Sequence, residues 1–196
     1  MKFRLPRKKR FYALLLLVVL GILFYKSQWL QEWLYPLDYQ KDIQVSAQNY
    51  GVDPYLIAAI IRVESNFKAD VQSSKGAVGI MQLMPDTAAW IVDISGYSRE
   101  TLQALHRPDV NIEIGARYLG LLHRQFAGNR TAMIAAYNAG PGNVSKWLVA
   151  GTWDGTPDNL EQIPFGETRH YVQRVQYYYQ KYRQIYTDRL LPSQIQ

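Results

Sequence analysis

The sequence predicts a mostly α-helical single domain preceded by a membrane-seeking segment. From Tyr39 onward, helix-starting and helix-ending residues recur and no alternating strand pattern develops. A length of 196 residues with 48% hydrophobic and 13% aromatic content suits one core plus an appendage. Near the amino terminus, fifteen residues without a charge, 11–25, directly follow a basic cluster.

That cluster also explains the net charge of +6. Lys2, Arg4, Arg7, Lys8, Lys9 and Arg10 are six of the 22 Lys and Arg, which leaves sixteen cations against sixteen Asp and Glu in the remainder. A neutral body argues against a nucleic-acid partner, which would require a basic face of its own. Fifteen apolar residues fall short of the ~20 that cross a bilayer core. The flank after Tyr25 holds bulky residues, Trp29 and Trp33 among them, where a cleavage site would require small ones. The reading is therefore an uncleaved anchor over residues 11–30, with Lys26 snorkelling, a cytoplasmic tail at 1–10 and a linker at 31–38. By the positive-inside rule, the globular region at 39–188 and a short tail at 189–196 lie on the extracytoplasmic side of the cell membrane in a single-pass topology.

Within the body, Asp53-Pro54 is an N-cap followed by proline at the first helical position, opening an apolar run through Glu64. Such a helix belongs at the centre of the fold. Pro85 opens a shorter helix through Ala88 and Ile91. Another runs from about Val110 to Phe126 with Gly128 as its stop, and Asn129 caps a helix reaching Asn138 that Gly140 and Pro141 end. After a proline- and glycine-bearing stretch at 151–166, a long helix covers about 167–186. No internal repeat is present.

The chemistry gathers on Glu64, a carboxylate closing an otherwise apolar helix. Burial and the negative end of the helix dipole both disfavour its charged form, raising its pKa toward the range of a general acid. Taken alone it reads more readily as a surface glutamate on a last turn. Three further segments accompany it: a two-glycine loop from Ser73 through Gly79 to Met84-Pro85, the helix end Ala136-Tyr137-Asn138-Ala139-Gly140, and Glu161 through Val172. The loop lets a ligand approach main-chain amides, and Ser73 and Gln82 add neutral polar groups. Each segment is also readable as plain structure: a loop, a helix stop, a charged helix start. Cysteine is absent, which removes disulfides, thiol nucleophiles and cysteine-held zinc. The His and Lys residues show no metal-ligand spacing, and no phosphate-cradling loop occurs, so no metal or cofactor is called for.

Together, Glu64-Ser65, Gly79-Ile80-Met81-Gln82 with Met84-Pro85, Ala136-Tyr137-Asn138-Ala139-Gly140 and Pro164-Phe165-Gly166-Glu167-Thr168-Arg169-His170-Tyr171-Val172 occur in order over about residues 40–186. In this the chain resembles the lytic transglycosylase (SLT) domain of the lysozyme-like superfamily, in the branch of the soluble lytic transglycosylases. Ile80 stands where leucine is commoner in that pattern. The resemblance implies a lysozyme-like fold of the α+β superfamily built mainly of helices. It implies peptidoglycan glycan strands as substrate and Glu64 as the catalytic acid. It also implies that Ser73, Met81, Gln82, Tyr137, Asn138 and Tyr171 line the sugar cleft, with Glu161 a further substrate-binding residue.

Glycosidases ordinarily use two carboxylates, and this pattern offers one. One suffices if the C6 hydroxyl of N-acetylmuramic acid is the nucleophile, so that Glu64 gives a proton to the glycosidic oxygen and later takes one from that hydroxyl. The product is then 1,6-anhydro-N-acetylmuramic acid. A goose-type-lysozyme-like hydrolase with a positioned water, or a catalytically silent peptidoglycan-binding module, are the competing expectations.

Overall fold

The computed structural model describes residues 7–25, 27–187 and 189–190. Residues 1–6 of the basic tail, Lys26 and residues 191–196 of the C-terminal tail lie outside the described residues. The chain divides into two units, one ending at Pro36 and one beginning at Leu37.

In the N-terminal unit, α1 (Arg7–Tyr25) exposes its apolar side chains on every side, from Phe11 to Tyr25. The Ser27 side chain caps the start of α2 (Gln28–Leu34) by accepting from the Leu30 N–H at 3.4 Å, and Trp29 and Trp33 are both exposed. The continuous span expected over residues 11–30 is thus two helices. Among the described residues no single helix is long and apolar enough to cross a membrane. The pair bent by 58° reaches that length and composition together. Residues 31–34, expected as linker, belong to α2.

In the body, the N-cap at Asp53 forms as the sequence predicts, accepting from the Tyr55 N–H at 2.8 Å. The helix it opens, α4 (Pro54–Glu64), is buried without interruption from Pro54 to Ile61, the central position an all-round apolar helix must take. It packs chiefly on α9 (Gly166–Ile185), the expected long helix. Between them in sequence come α5 (Pro85–Ser95), α6 (Pro108–Gln125) and α7 (Arg130–Ala139). Asn129 caps α7 by accepting from the Ala132 N–H at 3.0 Å, and the Gly128 N–H closes the end of α6 on the His123 carbonyl.

Two α-helices of the body were not assigned from the sequence. One is α3 (Gln40–Tyr50), which packs on α6. The other is α8 (Pro141–Val149), started by the proline that the sequence reading took only as a stop. The proline- and glycine-rich stretch also contains a 3₁₀ helix, Pro157–Gln162, and a second one, Arg99–Ala104, follows α5. Strand pairing among the described residues is limited to isolated bridges, Gln72 with Val78 and Val78 with Leu83, within one loop.

That loop, 71–84, is fastened to α6 by a buried asparagine. Asn111 donates to the carbonyls of Val78 at 3.0 Å and Leu105 at 2.8 Å, and accepts the Met81 N–H at 2.8 Å. Gly79, at φ +79°, lies so close to the Asn111 amide that a Cβ would collide with it, and Gly115 leaves the same kind of room for the Met81 side chain.

Candidate active site

Glu64 ends α4 part-buried, and the Tyr171 hydroxyl donates to its Oε1 at 2.7 Å across 107 residues of sequence. Burial, the largest influence, pushes its carboxyl up to about 7. The Tyr171 hydrogen bond and the Arg174 guanidinium pull the other way, and the charge of Glu167 adds to the rise. A carboxyl near 7 is half-protonated at neutral pH, the condition under which one group both gives and takes a proton. The same enclosure raises Tyr171 well above its ordinary value, by burial first and by the facing Glu64 charge second, so it stays a neutral donor.

Beside this pair opens a cleft of about 230 Å³ lined by Gln82, Met84, Thr87, Tyr118, Tyr137 and Asn138, among others. Tyr137 joins the two: it lines the cleft, and burial followed by the Glu64 charge raises its phenol. Its hydroxyl donates to the Met81 carbonyl at 2.9 Å. Asn138 accepts from the Thr168 hydroxyl at 2.7 Å, which ties the end of α7 to α9. Gln82 sits at φ +48°, an uncommon backbone for a residue with a Cβ. Its side-chain amide donates to Val71 O at 3.0 Å and Gly79 O at 2.8 Å and so braces the loop that imposes this conformation.

Larger cavities lie elsewhere, about 420 Å³ beside Glu113 and about 530 Å³ along α9. Size does not locate the chemistry; the smaller cleft adjoins the one carboxyl of the described residues whose proton affinity burial brings into the working range.

Of the residues singled out from sequence, the fold brings Glu64 and Tyr171 into contact and sets Gln82, Tyr137 and Asn138 around one cleft. Met81 enters by its backbone: the side chain is fully buried against α6, and the carbonyl holds Tyr137. Ser73 closes its own turn, accepting the Ala77 N–H at 3.0 Å. Glu161 is exposed on the 3₁₀ helix and makes no hydrogen bond or ion pair among the described residues. Sequence reasoning passed over Arg174, Thr168 and Tyr118. The first two stand three residues either side of Tyr171, so helical spacing from that tyrosine would have found them.

A helical body with a buried glutamate, held by a tyrosine hydroxyl beside a cleft, matches the lysozyme-like class. It belongs to the transglycosylase SLT domain family, whose model matches residues 41–156. It is 40% identical over 160 residues to the soluble lytic murein transglycosylase of Escherichia coli K12, covering 79% of this chain and 24% of that one. The crystal structure of the 70 kDa soluble lytic transglycosylase of Escherichia coli superposes with a TM-score of 0.72 at 37% identity, over 82% of this chain and 26% of that one. Membrane-bound lytic murein transglycosylase C of Actinobacillus pleuropneumoniae is 32% identical over 164 residues, 73% of this chain and 45% of that one. The chain thus spans about a quarter of the length of the soluble enzyme it matches.

Proposed function

We propose that this chain is a peptidoglycan lytic transglycosylase. It cleaves the β-1,4 bond between N-acetylmuramic acid and N-acetylglucosamine and forms 1,6-anhydro-N-acetylmuramic acid. The observation that carries this reading is Glu64, raised by burial to about 7 and held by the Tyr171 hydroxyl.

Protonated Glu64 gives its proton to the glycosidic oxygen as the bond from C1 of muramic acid to that oxygen breaks, and N-acetylglucosamine leaves with a free hydroxyl. The C6 oxygen of the same muramic acid then bonds to C1, and its proton passes to the Glu64 carboxylate. The acid is regenerated and no water is consumed. Tyr171 orients Oε1 and keeps donating in both states, stabilising the carboxylate formed midway. Gln82, Tyr137 and Asn138, with Ser73 and Glu161 as further contacts, bind hydroxyl and acetamido groups of the strand, while Met81, buried with both backbone groups engaged, supports Tyr137.

Mass spectrometry of fragments released from purified peptidoglycan tests the reaction. Muropeptides ending in 1,6-anhydro-muramic acid are expected. Reducing ends instead would assign a hydrolase, a reading that the Glu167 charge acting on Glu64 makes worth distinguishing.

We also propose that residues 11–30 anchor the chain, with residues 1–10 cytoplasmic and the body outside the membrane. Support comes from the basic flank, the exposed apolar surface of α1 and the tryptophans of α2. Protease added to intact spheroplasts is expected to digest or release the body; protection would reverse the topology.

A further inference from the structure

The row of aromatic rings leading away from the catalytic pair ends on the surface. Tyr137 contacts Tyr118 with centroids 5.4 Å apart, and Tyr118 contacts Trp90 edge-to-face at 6.3 Å and 90°. Tyr118 is buried, whereas the Trp90 indole is 47% exposed. A single exposed hydrophobe is unremarkable on a protein surface. Trp90 differs in its continuity with the cleft: it stands one turn beyond Thr87 on the same face of α5, and Thr87 lines the cleft together with Met84 and Tyr118. Tyr118 fixes the ring's orientation, so little side-chain freedom is lost when something lies on it.

We infer that Trp90 is a stacking platform for an N-acetylhexosamine ring of the glycan strand at a position away from the bond that is cut. This rests on the proposed glycan-cleaving reading. A β-1,4-linked hexosamine carries its hydroxyls equatorially and presents an apolar C–H face, which fits an indole. The indole N–H has no partner among the described residues and remains a donor for a sugar hydroxyl. Two ring-to-ring steps separate Trp90 from Tyr137, so the sugar it holds is not the one at Glu64. The residue therefore sets how strongly the enzyme prefers long strands over short ones.

The test compares wild-type protein, Trp90→Ala and Trp90→Phe on amidase-stripped glycan strands separated into long and short fractions. For Trp90→Ala, the ratio of kcat/KM on long strands to that on short strands should fall about tenfold, the size of one aromatic contact, through KM. Trp90→Phe should recover most of it with Tm close to wild type, whereas Trp90→Ala also loses the edge contact with Tyr118 and should melt slightly lower. An unchanged ratio, or equal losses on both fractions, overturns the inference. Binding of long strands to Glu64→Gln and to Glu64→Gln/Trp90→Ala, measured by calorimetry, separates the two proposals. A wild type that cleaves nothing sinks the enzymatic reading, while a Trp90-dependent affinity in these variants still supports the platform.

Discussion

Glu64 and Glu113 are both glutamates facing tyrosine hydroxyls, and they serve opposite ends. Glu113 on α6 receives three donors: Tyr50 and Tyr97 both reach Oε1, the latter at 3.1 Å, and Ser46 reaches Oε2 at 2.9 Å. Its oxygens are occupied by hydroxyls from α3 and from the segment after α5, so it ties these elements to α6. Burial and the bond to Glu113 hold the Tyr50 phenol far above its ordinary value, which keeps it a donor. Glu64 receives one hydroxyl, from Tyr171, and burial outweighs that bond and the opposing pull of Arg174. A carboxylate whose acceptors are filled is a fastener, whereas one that is desolvated and incompletely satisfied is a reagent.

Exchanging each for its amide should separate the two roles. Glu64→Gln keeps the shape and removes the transferable proton, so glycan cleavage should fall by about a thousandfold or more in a fully folded protein. Because the folded-state pKa of Glu64 is raised, its contribution to stability is fully present below about 4.5 and is lost as pH rises through about 7. Removing the carboxyl should therefore stabilise the fold relative to wild type at pH 8, by on the order of 3 kcal/mol at most and visible as a higher Tm, and the gain should vanish near pH 4. A Tm difference independent of pH would refute the buried-acid account. Glu113→Gln should do the reverse, placing an NH₂ among hydroxyl donors and lowering stability by about 1–3 kcal/mol in denaturant titrations, with turnover of the folded protein retained.

Tyr171→Phe sharpens the comparison by leaving Glu64 without its donor. Its hydrogen bond lowers the Glu64 pKa, so the variant should lose turnover while the alkaline limb of its pH–rate profile moves to higher pH. A limb that stays in place would mean that Tyr171 does not touch the titrating group. Tyr137→Phe should have the smallest effect. It leaves the Met81 carbonyl without its donor, a loss of about 1 kcal/mol, and turnover should fall modestly through the shifted loop. Unchanged turnover would reduce Tyr137 to a packing residue.

The difference between the two glutamates was only half legible in the sequence. Glu64 announced itself because Asp53-Pro54 fixed where its helix starts and the apolar run showed that the helix would be buried. Gln82 and Tyr137 stood out locally as polar groups beside turns, but the role of Tyr171 was reached only through motif resemblance, since nothing local says that a tyrosine 107 residues downstream will meet a given carboxylate. Glu113 gave no signal at all: its partners Ser46, Tyr50 and Tyr97 come from elements distant in sequence. The helix α8 was missed because Pro141 was read for what it ends, although proline opens helices as readily as it stops them. Met81 was read by its side chain, whereas the structure uses its carbonyl and its N–H, groups every residue carries.

Asn111 gives the cleft a place in the order of events by which the chain acquires its shape. It joins the backbone at Val78, Met81 and Leu105 to α6, so the loop carrying Gln82 takes up its strained conformation only against a docked helix. Helix formation within α4 is local and fast, while the meeting of loop 71–84 with α6 waits on a closure of 30 residues. The Glu64–Tyr171 contact spans 107 residues against those 30, so loop closure favours a groove that is in place before the acid gains the partner that holds it.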